Sequence, residues 1–202
     1  MELTITQFLS LDGVTQAPGD PEEDTAGGFD RGGWFVPHVD DEFLETAVEW
    51  IGEADAFLLG ARTYAAFGQA WPHVEPPDPF APSMNGLPKH VVTTSALDTG
   101  WGPVTVHRDL STVATLKAVP GRELQVHGST TLSWSLLQED LVDRLRLVVV
   151  PVVLGAGRRF FPSAGPVSGW DTVSSRVTST GVVLSVLERS DTVEFGRYPP
   201  ES

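Results

Sequence analysis

The 202-residue chain contains no cysteine. Disulfides, thiolate-bound metals, iron–sulfur clusters and a cysteine nucleophile are therefore excluded. No apolar run approaches the roughly 18 residues that span a bilayer. Met1 is followed by the alternating residues 2–9 rather than by a basic segment and an apolar block. We therefore expect neither a transmembrane helix nor a secretory signal, and we expect a cytoplasmic protein.

Basic residues are also scarce. Thirteen lysines and arginines stand against 27 acids, which gives a net charge of −14, and Lys89 and Lys117 are the only lysines. The bases are scattered along the chain, so we expect neither a nucleic-acid partner nor a membrane partner. An anionic ligand would have to be held by a few local arginines, hydroxyls and backbone amides, which favours a small molecule in a pocket.

The composition favours one domain over residues 1–202. Hydrophobic residues make up 41% of the chain, charged residues 20%, and the mean hydropathy is −0.03. A chain of this length can bury one large core or two small ones. Two long loops are predicted at residues 17–33 and 72–88, where glycine and proline are too dense for a regular element.

Hydrophobic periodicity predicts alternating strands and helices, which is typical of an α/β protein. We expect a mixed, mostly parallel central sheet flanked by helices, with residues 145–154 as the central strand. Beyond Trp170, three segments separated by Thr180-Gly181 and Ser190-Asp191 predict antiparallel strands at the C-terminal end,. The other predicted strands are 2–9, 56–59, 90–94, 104–107 and 124–127, and the predicted helices are 41–53, 111–118 and 129–138.

Three predicted strand-to-helix junctions carry glycines and hydroxyl residues, at 60–64, 93–95 and 128–131. In an α/β sheet such junctions collect at the carboxyl ends of the strands, where helix N-termini expose unpaired amides that bind phosphate. The alternative is that these residues only cap helices, since Ser and Thr are common N-caps.

Several other chemistries lack their motifs. The five histidines show no metal-ligand spacing, so we expect no metal site,. The serine-hydrolase elbow G-x-S-x-G, the P-loop and the Rossmann fingerprint G-x-G-x-x-G are also missing,. A dinucleotide would have to be bound in another way.

Taken together, five segments resemble the dihydrofolate reductase superfamily, and in particular the bacterial branch similar to the C-terminal reductase domain of the bifunctional riboflavin-biosynthesis deaminase-reductase. The resemblance runs from residue 3 to about residue 161. The segments are SLDGV at 10–14, ADAFLLGARTY at 54–64, KHVVTTS at 89–95, VHGSTTL at 126–132 and LVDRLRLVVVPVVLGAGRRFF at 141–161.

The resemblance implies a dihydrofolate reductase-like fold with reduced nicotinamide dinucleotide across the carboxyl ends of the strands. NADPH is expected and NADH is possible. The implied contacts are Gly60, Arg62 and Thr63 with the phosphates, Thr94 and Ser95 with the adenosine half, and Gly128, Ser129 and Thr130 with the pyrophosphate. Gly155 and Gly157 lie in the family's glycine pair, where bare backbone lets a ligand approach, although an ordinary turn would equally use glycine.

Two residues depart from the family pattern. Ala61 occupies the position of the base that reads the 2′-phosphate in dihydrofolate reductase, and Arg62 or Lys89 could replace that base. His127 occupies the first position of a family glycine pair. We interpret it as a structural hydrogen-bonding residue rather than as a catalyst.

Reduction of a C=N or C=O bond needs a proton donor as well as a hydride. The first candidate is Asp12, which in the resembling reductases lies beside the substrate. The alternative is an Asx turn before Gly13. Asp40 and Asp41 open the predicted helix 41–53, where acids usually act as caps. Three aromatic residues could line an acceptor pocket: Trp34, Phe43 and Trp71.

The resulting hypothesis is an NAD(P)H-dependent reductase of a small, heteroaromatic, pterin- or pyrimidine-like substrate, with Asp12 orienting the substrate or relaying a proton. One alternative is the riboflavin-pathway reductase of a phosphoribosylated aminopyrimidine, 5-amino-6-(5-phosphoribosylamino)uracil. Another is a non-catalytic dinucleotide-binding module of the same fold. Because such relatives commonly pair through the flank of the sheet, a homodimer is expected.

Overall fold

The computed structural model describes residues 1–190 and 192–198. Within them, eight strands form one sheet, and five α-helices accompany it. The strands are β1 (Glu2–Ser10), β2 (Ala54–Gly60), β3 (Lys89–Val92), β4 (Val104–His107), β5 (Glu123–His127), β6 (Arg144–Val150), β7 (Gly169–Val177) and β8 (Val183–Ser190). The helices are α1 (Asp41–Gly52), α2 (Ala61–Ala70), α3 (Ala81–Gly86), α4 (Ser111–Ala118) and α5 (Thr130–Gln138).

The strand order is β4-β3-β2-β5-β1-β6-β8-β7. Pairing is parallel from β4 to β6 and antiparallel on both sides of β8. The predicted mixed, mostly parallel sheet with antiparallel C-terminal strands is therefore confirmed. In the described part of the chain no helix is long and apolar enough to cross a membrane.

Three details of the sequence prediction are wrong. Strand β6 lies between β1 and β8, whereas β5 and β1 occupy the middle of the sheet. Residues 192–198 form no strand, so two antiparallel strands replace the three predicted, and Asp191 of the predicted second turn lies outside the described residues. Helix α3 also interrupts the predicted proline-rich loop. Proline is tolerated in the first turn of a helix, and Pro82 is placed there,.

The two faces of the sheet carry different layers. On one face, α4 and α5 pack their leucines and valines on β1 and β5, as Leu136 on Leu3 and Val126 illustrates. On the other face, α1 packs on β1 and β6 through Phe43, and α2 packs on β2 and β3 through Tyr64. Strand β5 runs below the space between α1 and α2.

The parallel strands end at one edge of the sheet, here called the carboxyl edge. In register, Gly60 of β2 pairs with Val92 of β3, and Thr6 of β1 pairs with His127 of β5. Strand β1 then continues four residues further beside β6, to the pair Ser10 and Val150. The junctions after β2, β3 and β5 therefore lie side by side, and the turn after β1 projects beyond them.

Candidate functional site

The junctions after β2 and β5 are joined by two hydrogen bonds. The N–H of Gly60 donates to Oγ of Ser129 at 3.0 Å, and the N–H of Ser129 donates to Oγ1 of Thr63 at 3.2 Å. Gly128 lies against the same threonine, because a Cβ at Gly128 would stand 3.7 Å from Cγ2 of Thr63. We call Gly60, Thr63, Gly128, Ser129 and Thr130 the paired junction.

The paired junction leaves two helix N-termini without side-chain caps. Gly60 is the N-cap of α2 and has no side chain to offer, and the hydroxyl of Ser129, the N-cap of α5, is engaged by Gly60 instead. In contrast, α1 is capped by Asp40, whose carboxylate accepts from the N–H of Phe43 at 2.8 Å. The first-turn amides of α2 and α5 therefore point at the carboxyl edge without a side-chain acceptor, which is the usual arrangement for binding an anion. Gly60 and Ser129 therefore occupy the N-cap positions without capping their helices through side chains.

Backbone conformation supports the same arrangement. Gly128 and Ser129 both have left-handed geometry, with φ of 56° and 49°. Such geometry is unusual for a residue with a Cβ, and successive amides near a left-handed turn form a concave anion-binding surface. Ser129 is held in this conformation by its two hydrogen bonds to the β2 junction.

The prediction of a strand-to-helix junction at 93–95 is wrong, because the loop after β3 leads to β4 rather than to a helix. An arginine that the sequence analysis did not single out fixes this loop. Thr94 and Ser95 are exposed, and Arg108 donates from Nη1 to the backbone oxygens of Thr93, at 3.3 Å, and Ser95, at 3.0 Å. Arg108 directly follows β4, the neighbour of β3. Strand adjacency is the signal that could have found it, and adjacency became visible only in the folded sheet.

The two candidate bases for binding a 2′-phosphate, Arg62 and Lys89, lie at opposite edges of the sheet. Arg62 is exposed in the first turn of α2 at the carboxyl edge. Burial opposes ionisation of Asp24, but the hydrogen bond from Arg158 and the charges of Arg158 and Arg62 lower the pKa of that carboxyl. Arg62 therefore contributes positive charge at this edge.

Lys89 is placed wrongly for that role. It is the first residue of β3, at the opposite edge of the sheet, and it is fully buried. Its Nζ donates to the oxygens of Asn85 and Leu87 and lies 4.5 Å from the centre of the Trp101 ring. Desolvation lowers the pKa of Lys89 to about 8. The ammonium stabilises the packing of α3 on β3 and does not reach the carboxyl edge.

Asp12 joins the turn after β1 to the segment after β6. Its carboxylate accepts from the N–H of Leu154 at 3.0 Å, from the N–H of Gly155 at 2.9 Å and from the hydroxyl of Ser10 at 2.7 Å. These bonds hold the pKa of Asp12 well below its usual range. Arg159 adds a hydrogen bond to the backbone oxygen of Asp12 at 2.8 Å. The side chain thus acts as an ionised clamp, a geometry that disfavours proton donation by Asp12.

Gly155 and Gly157, in the turn after β6, have different surroundings. Gly155, with φ of 75°, is exposed and bonded to Asp12. Gly157, with φ of 113°, has no room for a side chain, because a Cβ there would stand 2.7 Å from Val14 and 2.8 Å from Phe29. Packing against the chain itself therefore accounts for Gly157, whereas Gly155 leaves its backbone open to a ligand.

The other acidic and aromatic candidates are engaged elsewhere. Asp40 caps α1 and also accepts from the hydroxyl of Ser179 and the N–H of Thr180. Trp34 and Phe43 are packed in the core over β6, each about nine-tenths buried. Trp71 follows α2 and packs with Phe67 near the amino edge. The aromatic acceptor pocket proposed from these residues does not form.

His127 ends a row of buried polar residues on β5. Its Nε2 lies 2.9 Å from Oε1 of Gln125, and Gln125 in turn bonds Glu123 at 2.6 Å. Arg146 of β6 donates to both oxygens of Glu123 at 2.9 Å. The sequence analysis identified His127 but missed its partners, because Gln125 and Arg146 read as ordinary positions within strands.

Two further observations concern the location of a groove and the arrangement of possible metal ligands. A groove of about 540 Å³ lies between the end of α2 and the start of β3, near the amino edge and away from the junctions, and is lined by Val74, Pro76, Pro77, Asp78, Pro79, Ala81, Pro82 and Asn85. Among residues 1–190 and 192–198, no group of three or more histidines and acids is arranged to hold a metal ion.

The sheet order, the uncapped junctions and the clamp after β1 define a class of α/β protein with its candidate site at the carboxyl edge of a mixed sheet. Residues 2–184 match the RibD C-terminal domain model. The chain belongs to that family, as the sequence resemblance predicts.

The chain is also similar to known proteins in sequence and in fold. The uncharacterized protein YyaP of Bacillus subtilis strain 168 is 27% identical over 157 residues, which span 76% of this chain and 81% of YyaP. A riboflavin biosynthesis-like protein from Shewanella sp. PV-4 superposes with a TM-score of 0.65 at 18% identity, covering 94% of this chain and 99% of the other.

Dihydrofolate reductase from Enterococcus faecalis, solved with NADP(H) and the ligand RAB-propyl, superposes with a TM-score of 0.59 at 15% identity, covering 94% of this chain and 97% of that one. At these identities the superpositions establish the shared fold. The dihydrofolate reductase-like architecture predicted from the sequence is thus confirmed.

Proposed function

We propose that this protein is an NAD(P)H-dependent reductase that transfers hydride to a small heteroaromatic acceptor, pterin- or pyrimidine-like. The observation that carries the proposal is the paired junction, in which two adjacent helix N-termini lack side-chain caps: Gly60 has no side chain to cap α2, and the hydroxyl of Ser129 accepts from Gly60 instead of capping α5. Membership of the RibD C-terminal domain family and a dihydrofolate reductase-like fold support the same conclusion.

The residues of the carboxyl edge fit a dinucleotide. The first-turn amides of α2 and α5, with Thr63 and Thr130, would hold the pyrophosphate. Thr94 and Ser95, on the loop fixed by Arg108, would contact the adenosine half. The exposed guanidinium of Arg62 would favour the 2′-phosphate of NADPH, the preferred cofactor, in place of the base absent at Ala61. When bound, the reduced nicotinamide supplies the hydride.

The chain's own contribution is to position the ligands. Asp12 fixes Gly155 beside the end of β1, where open backbone allows a ring to approach. Because the pKa of Asp12 lies well below its usual range, the carboxylate carries no proton at neutral pH. The proton that completes the reduction of a C=N or C=O bond therefore comes from water or from another group, and Asp12 is a positioning residue.

Riboflavin-pathway reduction of a phosphoribosylated aminopyrimidine is a second candidate. Three arginines stand around the turns after β1 and β6: Arg31, Arg158 and Arg159. Each already contacts the chain, as Arg158 does through its ion pair with Asp24 at 2.9 Å. That engagement leaves less free positive charge for a ribose phosphate, so the broader reductase proposal is preferred.

Thermal unfolding with NADPH, NADH and AMP tests the cofactor site. A ligand at about a hundred times its Kd stabilises the folded state by roughly 2.7 kcal/mol, which raises the Tm of a domain of this size by several degrees. We expect a larger shift with NADPH than with NADH and a small one with AMP. No shift with either dinucleotide would reject the proposal. If NADPH raises the Tm but no pterin or pyrimidine tested oxidises the bound NADPH, a non-catalytic binding module would be favoured.

A further inference from the structure

A row of polar side chains on β5 lies beneath the space between α1 and α2, here called the cleft. Glu123, Gln125 and His127 are two residues apart on β5 and therefore share one face of the sheet,. Gln125 bonds the backbone oxygen of Trp50 in α1, and the His127 ring stands 5.5 Å from the ring of Phe57, which packs beneath α2. The row thus separates two apolar clusters on the same face.

Burial changes along the row. Glu123 and Gln125 are buried beneath the end of α1, whereas His127 is half-buried where the cleft opens at the carboxyl edge. His127 is also the residue directly before Gly128 and Ser129 of the paired junction. A molecule seated against that junction and extending over β5 would therefore lie beside the imidazole.

The hydrogen bonds of the row fix the tautomer of His127. Both amide hydrogens of Gln125 are directed to oxygens, one to Trp50 and one to Glu123, each at 2.6 Å. The oxygen of Gln125 must then accept from Nε2 of His127, at 2.9 Å. A neutral imidazole with its proton on Nε2 has an unprotonated Nδ1, which can only accept a hydrogen bond.

The charge state of the ring agrees with this assignment. Desolvation and the nearby charge of Arg146 lower the pKa of His127 to about 4, although Glu123 acts in the opposite direction. The ring is therefore neutral near pH 7. Thr6, the register partner of His127 on β1, has a buried hydroxyl with no hydrogen-bond partner in the described chain. The sheet surface beside His127 thus carries a buried hydroxyl without a partner among the described residues.

We propose that His127 is a positioning residue whose Nδ1 accepts a hydrogen bond from an amide N–H of a ligand bound in this cleft, with Gln125 and Glu123 holding the required tautomer. This inference rests on the proposed reductase function. The amide has two possible sources, the carboxamide of the nicotinamide or the lactam of the acceptor ring. If the lactam is the source, the imidazole selects lactam heterocycles over rings that carry no N–H group.

Nitrogen NMR of the ¹⁵N-labelled full chain tests the proposal directly. In the free protein the ring should carry its proton on Nε2, and Nδ1 should show the resonance of an unprotonated nitrogen from pH 7 down to about pH 5. The opposite tautomer would overturn the proposal. NADP⁺ is added next, then the pteridinedione lumazine, with 1,3-dimethyllumazine as the matched probe that lacks both ring N–H groups.

The two sources give different results. A shift of the Nδ1 resonance on adding NADP⁺ alone assigns the contact to the nicotinamide amide. A shift that needs lumazine, and that dimethyllumazine does not produce, assigns it to the acceptor. If NADP⁺ shifts the backbone amide of Ser129 while no ligand shifts Nδ1, the reductase proposal stands and this one fails. If the Ser129 amide does not move either, the cofactor site itself fails.

Two substitutions separate positioning from structural support. His127→Asn keeps an acceptor near the place of Nδ1, and His127→Phe keeps only the ring. Loss of one hydrogen bond should raise the Kd of the amide-bearing probe about fivefold to tenfold in His127→Phe, whereas His127→Asn should stay within about threefold of the parent. Equal weakening in both variants, with unchanged NMR dispersion, would overturn the proposal.

Discussion

The hydroxyl of Thr63 in α2 accepts a hydrogen bond from the backbone N–H of Ser129 at the start of α5, at 3.2 Å. Thr63→Val retains the side-chain shape but removes this acceptor. We expect the Kd for NADPH to rise about tenfold, which corresponds to about 1.4 kcal/mol, because the α5 N-terminus loses its fixed position. Calorimetric titration measures this Kd. The matched control is Thr46→Val in α1, whose hydroxyl bonds the oxygen of Glu42 within its own helix. Equal weakening in both variants would contradict the assignment.

The choice between NADPH and NADH should depend on Arg62. Removing the exposed guanidinium in Arg62→Ala should weaken NADPH binding about tenfold and leave NADH within about threefold, since only NADPH carries the 2′-phosphate. Arg108→Ala should weaken both dinucleotides alike, because Arg108 holds the loop of Thr93 and Ser95.

Arg122→Ala is the charge-matched control for both arginine variants. Its guanidinium pairs with Asp55 at the opposite edge of the sheet, at 3.0 Å. We expect it to change neither affinity. An Arg62→Ala variant that loses both cofactors equally would show that Arg62 does not read the 2′-phosphate.

Asp12→Asn should destabilise the fold in a pH-dependent way. Asparagine has one carbonyl oxygen for the two amides of Leu154 and Gly155, so the free energy of unfolding should fall by about 2 kcal/mol at pH 7. The pKa of Asp12 is lower in the folded state than in the unfolded chain. Its stabilisation is therefore present above about pH 4 and is lost as the pH falls toward the folded pKa.

Urea unfolding at pH 7 and at about pH 2.5 checks this. The difference in the free energy of unfolding between the parent and Asp12→Asn should be smaller at the lower pH. The control Asp171→Asn, on the exposed surface of β7, should have little effect at either pH. A difference that is the same at both pH values would show that the ionised form of Asp12 is not what holds the turn.

Gly157→Ala should be strongly destabilising. The added Cβ would lie 2.7 Å from Val14 and 2.8 Å from Phe29, at a φ of 113° that side chains rarely adopt. We expect a loss of about 3 kcal/mol in the free energy of unfolding. Gly52→Ala is the control, because nothing lies within 4 Å of a Cβ there. A tolerated Gly157→Ala would mean that the turn after β6 is free to move.

Two copies of the chain are expected to pair through the flank formed by β7 and β8. Strand β7 is at the edge of the sheet, and it exposes Val173 and Val177 by 57% and 65%. Sedimentation at micromolar concentration should give a species of about twice the 21.8 kDa chain mass,. Val173→Lys combined with Val177→Lys should convert it to monomer. A parent protein that sediments at the mass of one chain would reject the homodimer.

Local patterns in the sequence predicted local structure well. The bounds of β4 and α4 were predicted correctly, because alternation and helical spacing are properties of a few neighbouring residues,. The position of β6 was not, since the order of strands depends on pairing between distant segments. Asp78 illustrates another limit. Its carboxylate accepts from the amides of Phe80 and Ala81 at 2.8 Å and starts α3 within a segment whose prolines predicted a loop.

At the candidate site, too, local features were predictable from the sequence and long-range contacts were not. The junction motifs correctly indicated which residues gather at the carboxyl edge, because parallel strands end together. Their partners were not predictable. Lys89 and Arg62 are both bases beside the same two strands, yet one is buried at the amino edge and the other is exposed at the carboxyl edge. The edge of the sheet at which each base lies decides which of them can meet a ligand, since Lys89 begins β3 whereas Arg62 follows the end of β2.

The place of β1 in the sheet has a consequence for synthesis of the chain. Strand β1 leaves the ribosome before both of its partners, since it pairs on one side with β5, about 120 residues later, and on the other with β6, about 140 residues later. Until β5 has emerged, Leu3 and Ile5 have no strand beside them. Closing such distant contacts is slow, and an unpaired apolar strand is prone to aggregate. Production of this protein should therefore respond to growth temperature and to chaperones that shield nascent strands.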